Sequence, residues 1–211
     1  MTNHHTEKQV DTTHYQFDRY SGLDRWVSYH SQLHEALRLV PTSVLEIGVG
    51  DRVFGNYLTS NTGIRYESAD IDPELHPTHV APITALPIAD ASFDLAVAFE
   101  VLEHIPFENF ELALGELARV SKKYVVISIP HFGPPIQLHV KIPFLRSFQF
   151  AVKIPFPKKH EWNGEHYWEV GKKGYDPSTV RRKIEKIFKI QKEFVPYGNQ
   201  YHRFYVLEKL A

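Results

Sequence analysis

Glu100, Glu103 and His104 stand at i, i+3 and i+4, a spacing that puts three titratable side chains on one face of a helical turn. A histidine with an unperturbed pKa of about 6.5 is suited to act as a general base near neutral pH. His104 is therefore the candidate base, with Glu100 and Glu103 the other candidate catalytic residues, although His104 can equally cap or pack the turn before Ile105-Pro106. Downstream, His160, Trp162, His166, Tyr167 and Trp168 form a cluster able to stack, hydrogen-bond or pack; at least one is expected to face a pocket. His131, His166 and Trp168 are the candidates for touching an acceptor. The chain has no cysteine, which excludes thiolate catalysis and disulfides and fits a reducing compartment.

These residues need a scaffold, and the first sign of one is a change of period at Ser43. Val44-Leu45-Glu46-Ile47 reads as a short strand, Gly48-Val49-Gly50 as a tight turn, and the stretch around Val53 to Leu58 as a helix. Glycines 48 and 50 let the backbone approach a ligand where a Cβ would collide, and the helix start offers unpaired N–H groups. A dinucleotide fingerprint would want a third glycine where Val53 stands, and the acidic Glu46 would repel a pyrophosphate. A nucleoside that carries cations and no phosphate fits better. Asp70, about 20 residues after the turn, could accept hydrogen bonds from both ribose hydroxyls, or be a turn aspartate before Asp72-Pro73.

The surrounding elements alternate. A helix over residues 23 to 40 is predicted from Leu23, Trp26, Val27, His30, Leu33, Leu37 and Val40, ended by Pro41. Strands are predicted at 64–69, near 79–83, at 93–99 and at 124–129, with an amphipathic helix over 107–120. A basic helix from 177 to about 188 and strands near 190–195 and 202–208 close the chain. Such alternation implies right-handed crossovers and a parallel sheet, with ligands beyond the carboxyl ends of the strands.

Val44-Leu45-Glu46-Ile47-Gly48-Val49-Gly50, Ala69-Asp70-Ile71-Asp72, Leu86-Pro87-Ile88-Ala89-Asp90-Ala91-Ser92-Phe93-Asp94 and Phe99-Glu100-Val101-Leu102-Glu103-His104-Ile105 occur in one order and spacing. In these four motifs, over roughly residues 40 to 130, the chain resembles the class I S-adenosylmethionine-dependent methyltransferases, in particular the type 11 family that includes ubiquinone-biosynthesis enzymes. The resemblance implies an α/β fold with a doubly wound, seven-stranded Rossmann-like sheet, mostly parallel, a C-terminal antiparallel hairpin and an insertion after the fifth strand. It implies S-adenosyl-L-methionine as cofactor, with its methionine part beside Glu46, Gly48 and Gly50, its ribose on Asp70 and Ile71, and its adenine near Thr84, Ala85 and Leu86. Glu100 would reach the methionine end. Methyl transfer to an O or N of a small or amphipathic acceptor follows as the expected activity; an RNA methyltransferase and a catalytically silent binding protein of the same fold are the alternatives.

Two residues depart from the family pattern. Arg52 stands where a glycine is common, and Pro82 stands where an acid is common. Glu-x-x-Glu-His is also similar to the metal motif of small-RNA 2′-O-methyltransferases and some ubiquinone-pathway O-methyltransferases. Carried over, Glu100, Glu103, His104 and His166, with His131 an alternative to the last, would suit a divalent metal. Many family members share the Glu-His pair without a metal, and a metal-free site is the first expectation.

The single domain is expected to span residues 21–211, after a flexible stretch 1–20, with 131–165 inserted as a substrate flap. Six prolines between Pro130 and Pro157, and Phe132, Phe144, Phe148, Phe150 and Phe156, mark that insertion. From Leu117 through His160 there is no acidic residue, against Arg119, Lys122, Lys123, Lys141, Arg146, Lys153, Lys158 and Lys159. Such a surface could cover an anionic acceptor, stack on a nucleobase or rest on a membrane, or its phenylalanines could simply pack on the sheet. Phe148 to Phe156 alternate as in a strand, while Phe144, Phe148 and Val152 also fit a helix face. Trp26 and the Tyr15 to Tyr20 segment could close the pocket from the other side. Overall the charge is −1, from 24 basic and 25 acidic residues, so no global field favours nucleic acid or an anionic membrane. No apolar run approaches the roughly 20 residues that span a bilayer, and a cytoplasmic protein is expected.

Overall fold

The computed structural model describes residues 12–145 and 147–210. Two short helical turns, Thr12–Tyr15 and α1 (Phe17–Tyr20), lead into α2 (Leu23–Leu37). Then come β1 (Ser43–Ile47), α3 (Val53–Asn61), β2 (Arg65–Asp70), β3 (His79–Val80), β4 (Phe93–Phe99), α4 (Phe110–Val120) and β5 (Ser121–Pro130). A separate hairpin, β6 (Pro135–Val140) and β7 (Phe148–Lys153), precedes α5 (Pro177–Glu185), β8 (Phe188–Phe194) and β9 (His202–Lys209).

The main sheet has seven strands in the order β3-β2-β1-β4-β5-β9-β8. The first five pair in parallel, and β9 lies antiparallel between β5 and β8. The reversal of strand order falls between β1 and β4, and in such sheets the crevice outside the carboxyl ends at that point receives the ligand. Alternation along the central strands explains why both faces are covered. Leu45, Ile47, Ala96, Ala98, Val125 and Ile127 point into a core under α4 and α5, while Val44, Leu95, Val97 and Val126 pack on the opposite side with Phe54 and Leu58 of α3.

Helix α2 is present, and Leu33 and Leu37 pack on the core as their spacing suggests, but its first turns show a different face. Leu23 is 84% exposed and Trp26 47% exposed, whereas Ser28, Tyr29, Ser31, Gln32, Glu35 and Ala36 are buried. Polar partners offset the cost of that burial: Lys192 Nζ lies 2.6 Å from Glu35 Oε1, Tyr29 donates to Asp51, and Ser28 meets His202. Trp26, read as closing the pocket, thus lies largely in solvent. Helix α4 starts at Phe110 because Pro106 is followed by a 3-10 turn, Phe107–Asn109.

Residues 12–20 carry helical turns where a flexible stretch was expected, and residues 1–11 of that stretch lie outside the described residues. The insertion takes the strand period, and 148–153 is β7 rather than a helix. No helix among the described residues is long and apolar enough to cross a membrane.

Candidate active site

The turn after β1 is held open by backbone geometry. Gly48 and Gly50 have φ of 80° and 47°, and a Cβ on Gly48 would sit 2.3 Å from Val101 Cγ2. Any other residue at Gly48 would have to displace the Val101 side chain and adopt a left-handed backbone. Asp70 locks the turn: its Oδ2 accepts from Val49 N and its Oδ1 from Asp72 N, both at 2.9 Å. Arg52, the departure from the family pattern, is itself left-handed at φ 66° and caps α3. Its guanidinium donates to the carbonyls of Leu75 and His76 at 2.7 and 3.1 Å, tying the turn after β1 to the loop after β2.

These groups line one pocket. Gly48, Gly50, Asp70, Ile71, Glu100 and His104 all contribute to its wall. Tyr15 and Tyr20 cover it, packed edge to face with His14 at 5.1–5.3 Å, and the Arg25 guanidinium lies 4.1 Å from the Tyr20 ring centre. Burial pushes the Tyr20 hydroxyl up to about 12, so it remains a neutral donor.

Three expected adenine contacts lie outside the wall. Thr84, Ala85 and Leu86 are displaced by Ala81 and Ile83, because β3 is only two residues long and Ala81 N donates back to Asp70 O at 2.9 Å. Leu86 packs in the core, and its amide donates to Glu116 Oε2 at 2.8 Å. Ala81 and Ile83, spaced two apart directly after the strand, line the pocket there.

Glu46 also lies outside the wall. Its buried carboxyl accepts from the Tyr66 hydroxyl, and burial pushes its pKa up to about 8. Between the ordinary carboxyl value and about pH 8 the folded chain keeps a proton that the unfolded chain has released, so this group's stabilising contribution is lost as pH rises through that window. Glu46→Gln keeps the acceptor for Tyr66 and removes the titration. Its melting temperature should match wild type near pH 5 and exceed it by several degrees at pH 9, an effect worth a few kcal/mol; parallel pH profiles would remove Glu46 as the cause.

The Glu100-Glu103-His104 group does not form one helical face. Leu102–His104 is a 3-10 turn, and Glu100 just before it has a left-handed φ of 56°. Glu100 turns toward β9, with Oε2 3.2 Å from His202 Nε2. His202 Nδ1 meets the Ser28 hydroxyl, which also accepts from Asn199 Nδ2 at 3.3 Å. Ser28, Asn199 and His202 are positioning residues that the spacing argument missed, since they lie far apart in sequence. Burial raises Glu100 to about 7 and drives His202 well below its ordinary value, so the proton shared by this pair sits on the carboxyl side more than on a charged imidazole.

Glu103 is fully buried and neither carboxyl oxygen has a hydrogen-bond partner among the described residues. Burial, with Glu100 nearby, holds it well above the carboxyl range, as a neutral acid. His104 Nδ1 lies 3.0 Å from Glu165 O, which fixes the proton on Nδ1 and makes Nε2 the acceptor nitrogen. Burial lowers its pKa to about 4, so the ring is neutral at physiological pH. His166 stands edge to face on it, ring centres 5.1 Å apart, with Nδ1 3.3 Å from Glu169 Oε1. One ligand atom each from Glu103, His104 and His166 lies within 4.8 Å of the others, a donor set that suits a divalent cation once Glu103 ionises. Glu100 stands apart from that set.

Two acceptor candidates are elsewhere. Trp168 is fully buried, with Nε1 donating to Ile105 O at 3.2 Å and its ring between Phe107 and Phe110, so it builds the core under α4. His131 is buried at the end of β5, where Nδ1 accepts from Arg203 Nε at 3.0 Å and burial beside that guanidinium lowers its pKa to about 3. It lines a second cleft with Phe132, Lys153 and Tyr201. Of the aromatic cluster after the insertion, His166 alone of the three proposed acceptor contacts lies beside His104.

A mostly parallel seven-stranded sheet closed by an antiparallel strand pair, with a glycine turn after β1 and an aspartate ending β2, defines a class I methyltransferase fold. Residues 45–129 match the family model Methyltransf_11, described as a methyltransferase domain. Solved structures of the same fold include the 1,6-didemethyltoxoflavin-N1-methyltransferase of Burkholderia thailandensis, with bound 1,6-didemethyltoxoflavin and S-adenosylhomocysteine. It is 14% identical, the match covering 94% of this chain and 85% of that one, with a TM-score of 0.60. The N-methyltransferase NodS of Bradyrhizobium japonicum, in complex with S-adenosylhomocysteine, is also 14% identical, over 95% and 100% of the two chains, at 0.57. Magnesium protoporphyrin IX methyltransferase of Synechocystis, with bound S-adenosylmethionine, is 16% identical over 97% and 86%, at 0.53. Among curated proteins the sequence has no significant match.

Proposed function

We propose that this protein is an S-adenosylmethionine-dependent methyltransferase that methylates an oxygen or nitrogen of a small or amphipathic acceptor. The observation that carries the reading is the convergence of the two left-handed glycines and Asp70 on one pocket, beneath the Tyr15–Tyr20 cover. When bound, S-adenosylmethionine supplies the electrophilic methyl carbon. Asp70 accepts from the ribose hydroxyls with the lone pairs left over from Val49 and Asp72, the Gly48–Gly50 backbone lies along the methionine part, and Ala81 with Ile83 offers an apolar bed for the adenine. Glu100 faces the ammonium end and attracts it once the carboxyl has released its proton, at about pH 7 and above.

Alignment of nucleophile with methyl carbon supplies much of the rate in such a displacement. An acceptor hydroxyl or protonated amine must also lose a proton, and His104 Nε2 takes it. The neutral Glu103, with Oε1 3.8 Å from that nitrogen, adds no competing charge. The solved relatives with S-adenosyl ligands support the cofactor, and the toxoflavin-type and porphyrin acceptors of two of them are consistent with a small or amphipathic acceptor.

Isothermal titration with S-adenosylhomocysteine tests the reading. Binding at micromolar concentration is expected, tightening as pH rises through about 7, because only the ionised Glu100 attracts the ammonium. No binding would leave a silent fold. A second reading, a divalent cation on Glu103, His104 and His166, is favoured by the unpaired oxygens of Glu103. Methyl transfer that survives exhaustive EDTA would eliminate it.

A further inference from the structure

The β6–β7 hairpin is inside out. Its cross-strand pairs are Ile136–Val152, Leu138–Phe150 and Val140–Phe148 on one face, and Pro135–Lys153, Gln137–Ala151 and His139–Gln149 on the other. In an ordinary sheet the apolar face would pack on the body. Here the polar face, itself largely exposed, is the one that reaches the body: Gln137 Nε2 donates to Gln200 Oε1 at 2.7 Å and the His139 ring lies 5.8 Å from that of Tyr197, while Lys153 Nζ donates to Gly133 O at 2.7 Å within the insertion. All six residues of the apolar face are exposed.

The tip continues the pattern. Ile142 and Leu145 are exposed, and Phe144 between them is completely so, at a left-handed φ of 67°. Glycine or asparagine would take that backbone conformation at lower cost, and a bulky aromatic there is an outlier. Folding gains nothing from a fully solvated phenylalanine in a strained turn.

Charge decides what the face meets. No aspartate or glutamate occurs from Leu117 through His160. Lys141 directly after β6, and Lys158 and Lys159 in the segment after β7, are exposed and form no ion pair among the described residues. Aliphatic Ile136, Leu138 and Val140 cannot stack on bases, which disfavours a nucleic acid, and a like-charged second copy would be repelled. We propose that this hairpin is a membrane anchor, which inserts Phe144 and the apolar face into the headgroup region of an anionic bilayer while the lysines contact lipid phosphates. It springs from the carboxyl end of β5, beside β4, whose last residue Phe99 precedes Glu100, so docking sets the methyl-transfer end of the sheet at the lipid surface. That last consequence rests on the proposed activity; vesicle binding does not.

Co-sedimentation of the full chain with vesicles tests it. The protein should pellet with phosphatidylcholine–phosphatidylglycerol vesicles, far less with phosphatidylcholine alone, and less as salt rises. Phe144→Asp and Phe150→Asp should each weaken binding by about tenfold or more, with unchanged melting, because each removes one buried aromatic from the lipid and none from the core. Lys158→Glu with Lys159→Glu should abolish the preference for anionic lipid. Failure to pellet, or pelleting that ignores these variants, overturns the proposal. So does a dimer in sedimentation velocity that Phe144→Asp dissolves, or retention on RNA without vesicle binding.

Discussion

Asp70→Ala is expected to weaken S-adenosylhomocysteine binding by about a hundredfold or more, read by isothermal titration. The residue acts twice. Its carboxylate is the acceptor at the pocket wall for ribose hydroxyls, and hydrogen bonds to a charged group contribute about 1.5–3 kcal/mol each. Its oxygens also hold Val49 N and Asp72 N at 2.9 Å, which keeps the glycine turn and the loop after β2 in register. Alanine strands both amides and removes the ribose acceptor at once. Asp70→Asn separates the two roles, since one oxygen remains to accept from the turn; it should fall between wild type and alanine. An affinity within threefold of wild type for the alanine variant would remove Asp70 from the cofactor site.

His104→Ala should lower methyl transfer by roughly 10²–10⁴ while cofactor affinity stays within a factor of about two. Transfer of labelled methyl from the cofactor to acceptors in cell extract provides the turnover readout. The prediction depends on the ring's state: Glu165 O fixes the proton on Nδ1, and burial keeps the imidazole neutral. Since protonation blocks the base only below about pH 4, the acid limb contributed by His104 should appear near there and not near its ordinary value. Unchanged turnover would make His104 a packing residue of the 3-10 turn. If turnover and binding fall together, the ring shapes the pocket and does not carry the proton.

The motif segments were readable because their constraints are local. A β-branched run followed by glycines is a strand and a turn whatever surrounds it, and the almost wholly apolar Phe93–Phe99 had to be a covered parallel strand, which it is. Gly48 and Gly50 were singled out by that local turn, Asp70 by its spacing and Ile71 by the family resemblance, and all four line one pocket. Helix α2 was legible as a helix but only in part in its packed face, because apolar spacing was counted while much of the buried face is polar and satisfied by Lys192, His202 and Asp51. Glu46 looked like a ligand from its place before the turn, yet Tyr66 on the next strand claims it.

The sequence alone determined the strand-turn-helix unit, the residues at its turn and the order of the sheet's elements, since each rests on the conformational preferences of a few neighbouring residues. Tertiary structure decided which titratable groups share the pocket. A 3-10 turn and a left-handed Glu100 broke the expected common face, sending Glu100 to His202 and burying the Glu103 carboxyl without a hydrogen-bond partner among the described residues. It also placed Trp168 in the core and turned the apolar side of the hairpin outward. Those outcomes depend on partners more than twenty residues away, and desolvation by those partners, not residue type, sets the charge on each acid and imidazole.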